Sequence, residues 1–231
     1  MEKNGSITNV EVKITLVALI CATLRLLLVI LSATGVFTPD VSVGWYNEYN
    51  ESSTMMMNST KVWLSLITYV AFALATVVYL LQIRERGFRT LATIAIVFWV
   101  LWITVDFSWL AANVQGVVCG KGDSLLRSKE YWQTEGIAEY PLIWLVLNHG
   151  MTLQWVLIVT GVLSHLLFIP TFASMQKENK VLGTLGIITM LAYVTTIATI
   201  PFVSTFVQPI CWVVLFFYSW LYYRSLSCKH S

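Results

Sequence analysis

LATIAIVFWVLWITVDFSWLAANV, residues 91–114, is an apolar run carrying a single charge, Asp106. As a helix rising 1.5 Å per residue it reaches about 36 Å, enough to cross about 30 Å of hydrocarbon. Trp99, Trp102, Asp106, Trp109 and Asn113 recur within it every three or four residues. At about 100° per residue these five share one stripe roughly 80° wide. A carboxylate at the centre of a spanning helix costs about 2.5–3.5 kcal/mol on insertion scales, so it needs a partner, a proton or a ligand. Three indoles beside it make those surroundings aromatic.

The rest of the chain fits that reading. Of 231 residues, 57% are hydrophobic and 11% charged. A soluble domain carries about 25% charged residues, so this balance belongs to an integral membrane protein. A net charge of +2 without any Lys/Arg run gives no basis for binding nucleic acid. Six stretches are long enough to span: residues 14–37, 62–83, 91–114, 142–170, 181–203 and 205–223. The expected fold is therefore an all-α, six-span polytopic bundle forming one transmembrane domain, with the lipid bilayer as its partner. The fifth and sixth stretches run together, and a tight re-entry between them is inferred from Pro201 and Pro209. The first stretch is too long for a cleaved signal core and is read as a retained span.

Orientation follows from Lys and Arg. Nine of them (Lys3, Lys13, Arg84, Arg86, Arg89, Lys177, Lys180, Arg224 and Lys229) fall on one side. Only Lys61, Lys121, Arg127 and Lys129 fall on the other. Both termini are thus expected in the cytoplasm, with the plasma membrane as the location and residues 38–61 and 115–140 as external loops. Asn50 and Asn58 stand in N-x-S/T contexts on that external side.

Arg25 and Asp106 are the charges placed well inside a span. Their expected depths differ by about 6 Å, within an arginine's reach, so an ion pair joining the first and third spans is one reading. The other makes Asp106, Trp99, Trp102, Trp109, Arg25 and His149 a ligand site in the outer half of the bundle. Indole faces attract cations, so its ligand would be a small organic cation, or a proton taken up by Asp106. His149 enters because its expected depth below the outer surface matches that of Asp106. His165, near the inner end, reads as a capping or interfacial residue.

Several chemistries find no residues to carry them. His149 and His165 are about 24 Å apart along one helix and cannot clamp one haem. No lysine lies within a span, and HExxH, P-loop and GxSxG motifs are absent. Cys21, Cys119, Cys211 and Cys228 suggest neither a disulfide framework nor a zinc site. No catalytic residue, metal or cofactor is expected.

The layout resembles that of an uncharacterised bacterial family of six-span membrane proteins. A long external loop follows the first span, and an RERGFR turn (84–89) joins the second to the third. A histidine opens the fourth span, a basic turn precedes the fifth, and an aromatic WLYYR (220–224) closes the sixth. That resemblance implies the six-span fold and no particular activity.

Three functions follow as expectations. The first is a small transporter or ligand-binding protein built on the Asp106 face. The second is an intramembrane enzyme pairing His149 with Asp106 or Glu139 on a lipid-like substrate. The third is a structural, immunity or assembly partner whose polar groups serve packing.

Overall fold

The computed structural model describes residues 9–33, 51–118, 134, 136–197 and 201–228. These residues form α1 (Asn9–Ala33), α2 (Glu51–Arg84), α3 (Arg89–Val118), a short 3-10 helix (Ile137–Glu139), α4 (Pro141–Met175), α5 (Lys180–Ile197) and α6 (Pro201–Ser227). No strand occurs among the described residues. Four helices contain a stretch long and apolar enough to cross a membrane: Asn9–Leu31, Leu66–Arg84, Arg89–Ser108 and Asn148–Met175. The apolar part of α5, Lys180–Thr195, is shorter. Ile67, Leu74, Met151 and Trp155 point outward, whereas Thr76, Ser164, His165 and Ser219 are buried. A water-soluble fold sorts its side chains the other way. In lipid, helices satisfy their own backbone groups and collect polar side chains within the bundle.

The helices close into a ring. Each packs against its neighbours in sequence, and α6 packs back onto α1. Glu11 on α1 forms a 3.0 Å ion pair with Arg86, in the turn between α2 and α3. The Ser227 hydroxyl donates to Asn9 Oδ1 at 3.3 Å. The start of α1, the end of α6 and the 84–89 turn therefore share one end, which is the basic end of the ring.

Local chemistry explains the turns. Gly87 lies against the α4 backbone, where an added Cβ would come within 3.0 Å of Thr171 Cα. Asn179 caps α5 by accepting the Leu182 N–H at 3.0 Å. The start of α4 is capped from another helix: Gln115 Oε1 on α3 accepts the Leu142 and Ile143 N–H groups at 3.1 and 3.2 Å. Pro141 opens that helix, where its missing N–H loses nothing.

Four boundaries differ from those drawn on hydropathy, the first being the end of α3, which runs to Val118 into the expected 115–140 loop. α2 begins at Glu51, so residues 51–61 are helical rather than loop, and Asn58 lies on a helix. Apolar content sets where a helix meets lipid, but helicity itself continues through Met, Glu and Ser. α4 continues past Pro170 to Met175, because Phe172 and Met175 are buried beyond it and hold that last turn in place. Pro209 lies inside α6, which starts at Pro201, so neither proline breaks that helix; residues 198–200 lie outside the described residues. Asn50 and the rest of the loop up to it, like most of 115–140, lie outside the described residues.

Candidate functional site

Inside the ring the six helices turn inward stripes toward one another. On α1 the stripe is Glu11, Thr15, Ala18, Ala22, Arg25 and Val29, with small residues at its middle. Those small residues leave room for α2 and α6 to meet beneath α1. There the Tyr79 and Ser219 hydroxyls lie 2.8 Å apart, and the Tyr79 and Phe216 rings stand edge to face at 4.9 Å. Trp99, 1% exposed, occupies the centre of this plug, 4.9 Å from Trp102, 5.4 Å from Trp212 and 4.8 Å from His165.

Above the plug, away from the basic end, the ring surrounds a partly open cavity of about 520 Å³. All six helices line it. Arg25 comes from α1, Tyr69 from α2, Trp102 and Asp106 from α3, Gln154 from α4, Tyr193 from α5, and Gln208 and Trp212 from α6. At the helical rise, Arg25 and Asp106 stand about 24–26 Å along their helices from the basic end.

Arg25 and Asp106 share this cavity without touching. Among the described residues, no Arg25 nitrogen lies within 4.0 Å of an Asp106 oxygen. The reason is architectural: α2 stands between α1 and α3 in the ring, and its Tyr69 intervenes. The guanidinium lies over the Tyr69 ring at 5.6 Å. The Tyr69 hydroxyl faces Asp106 and reaches the Ile103 carbonyl at 3.5 Å. The direct ion pair weighed from sequence does not form.

No family model, curated protein or solved structure matches this chain.

Of the six residues singled out in sequence, Asp106, Trp102 and Arg25 line the cavity. Trp99 lies one layer deeper, as the support on which Trp102 rests. The Trp109 side chain lies outside the described residues. His149 is exposed near the far end of α4, with its ring 5.3 Å from Trp144, and it does not line the cavity. The geometry thus does not assemble the His149–Asp106 pair that an acid–base enzyme would need here. Among the described residues, no three His, Cys, Asp or Glu side chains converge. Cys21, Cys211 and Cys228 are free thiols.

His165 corrects an expectation. It is fully buried rather than capping or interfacial. Its ring stacks on Tyr193 at 4.1 Å and 9°, and its Nδ1 lies 2.7 Å from the Gly161 carbonyl. A helix ending at Pro170 would have His165 near its end; α4 runs on to Met175 and carries His165 into the core. Gly161 makes this stack possible, since an added Cβ would collide with the Tyr193 ring and hydroxyl. Sequence reading missed Tyr69, Tyr193, Gln154 and Gln208. The signal for them in the sequence is a polar or aromatic residue on the inward stripe of each span.

Proposed function

We propose that this chain is a six-span plasma-membrane protein, with cytoplasmic termini, that binds a small ammonium-bearing organic molecule in the ring cavity and carries it across the bilayer. The observation that supports this reading is the position of Asp106. Its carboxylate stands on the wall of a cavity that all six helices line, beside aromatic rings, with no cation in ion-pair contact among the described residues. A pocket of several hundred Å³ with few convergent polar groups is the usual form of a small-molecule site. Trp102 and Tyr193 give an ammonium group ring faces to rest on, worth about 0.5–2 kcal/mol each. The basic end, with Arg84, Arg86 and Arg89 in one turn, supports placing that end in the cytoplasm.

The test is chemical. A hydrophobic carbodiimide should modify Asp106 in the membrane-embedded protein, as read by peptide mass spectrometry. Primary and quaternary ammonium compounds should slow that modification, and the Asp106→Asn variant should lose the adduct. If no ammonium compound protects Asp106, the cavity is not an ammonium site and the reading fails.

A further inference from the structure

Arg25 is the second charge on the wall, and a cation site alone does not use it. Among the described residues it donates no hydrogen bond and forms no ion pair; its one contact of note is the Tyr69 ring face. It lies on the inward stripe of α1 and faces the cavity, not the lipid. The amides of Gln154 and Gln208 also line the cavity without a hydrogen-bond partner among the described residues. Polar groups placed this way in a membrane interior need a partner from outside the chain.

Electroneutrality selects that partner. With Arg25 and Asp106 both charged, the cavity wall has no net charge. A simple cation settling on Asp106 would leave Arg25 as an unbalanced charge within the bilayer. A simple anion on Arg25 would leave Asp106 so. A ligand carrying both signs satisfies each wall and adds no net charge, which matters where the dielectric is low.

Resting on the reading of the cavity as an ammonium site, we infer that its ligand is a small zwitterion. The ammonium lies against Asp106, Trp102 and Tyr193, while the carboxylate lies against Arg25. Tyr69 holds the two wall charges apart, so they remain available to the ligand instead of neutralising each other. A cavity of about 520 Å³ accepts molecules from betaine size to aromatic amino-acid size.

Matched triples test this. Betaine, choline and 3,3-dimethylbutyrate share one shape and differ in charge. Phenylalanine, phenethylamine and 3-phenylpropionate form a second, larger set. Binding is measured by calorimetry on the full-length protein in lipid nanodiscs. In at least one triple the zwitterion should bind about a hundredfold more tightly than either singly charged analogue. Arg25→Gln and Asp106→Asn should each erase that advantage, with Arg25→Lys retaining part of it as a check on folding. If the cation equals the zwitterion and Arg25→Gln changes nothing, the zwitterion is overturned while the cavity reading stands. A carboxylate that binds as well as the zwitterion, with uptake of one proton, overturns it in favour of a protonated Asp106. If none of the six binds and none protects Asp106 from carbodiimide, both proposals fall.

Discussion

Two charged residues inside one bundle invite pairing, and whether Arg25 and Asp106 pair is decided by a third residue. Counting along the helices puts the two about 6 Å apart in depth, close enough to pair. It could not give the order of helices around the ring, and Tyr69 comes between the two because α2 does. A double-variant cycle measures the difference. If the two groups were in direct buried contact, Asp106→Asn and Arg25→Gln would each destabilise by about 3–5 kcal/mol, and the double variant would recover most of that. Facing a common cavity with a tyrosine between them, they should show a coupling energy of about 1–2 kcal/mol in chemical unfolding, short of that of a direct pair. The same limit explains His149. Its expected depth matched that of Asp106, but its side chain lies outside the cavity lining, against Trp144. The Trp102–Asp106 stripe was legible because three- and four-residue spacing survives intact in a helix; which face meets which is a property of the assembly.

At the level of helices, the ends and close approaches carry the stability. Gln115 supplies the acceptor for the first free amides of α4, a role that a residue within α4 usually fills. Gln115→Leu should therefore cost about 1 kcal/mol in thermal or chemical unfolding. Hydrogen exchange at Leu142 and Ile143 should accelerate at the same time, while exchange at Leu182, capped by Asn179, stays unchanged. The α4–α5 contact depends on Gly161. Gly161→Ala should destabilise by about 1–3 kcal/mol, because Tyr193 must leave its stack on His165 to make room. Removing the hydroxyl in a Tyr193→Phe background should recover part of that loss. If Gly161→Ala is neutral in both backgrounds, the stack is not holding these helices together. Proline was the least reliable guide at this scale. Pro170 and Pro209 both lie within helices, since a lost hydrogen bond in a long packed helix is tolerated when buried side chains continue beyond it.

For the whole molecule, the ring itself limits the topology. Asn9 and Ser227 meet at one end, and each helix packs on the next, so the chain leaves the ring on the side where it entered. Arg84, Arg86 and Arg89 lie at that same end, which in the proposed orientation faces the cytoplasm. Cysteine labelling checks both steps. In a Cys119→Ser variant, the native Cys228 is an exposed thiol at the basic end. A membrane-impermeant maleimide applied to intact cells should leave it unmodified and reach it once the membrane is permeabilised. A cysteine placed by Glu139→Cys, beside the start of α4 at the opposite end, should react in intact cells without permeabilisation. Reversal of the two patterns would turn the cavity toward the cytoplasm and make it an exit site. Reaction of both thiols from the same side would mean that the helices do not all cross, and a cavity needing all six of them would then have no complete wall.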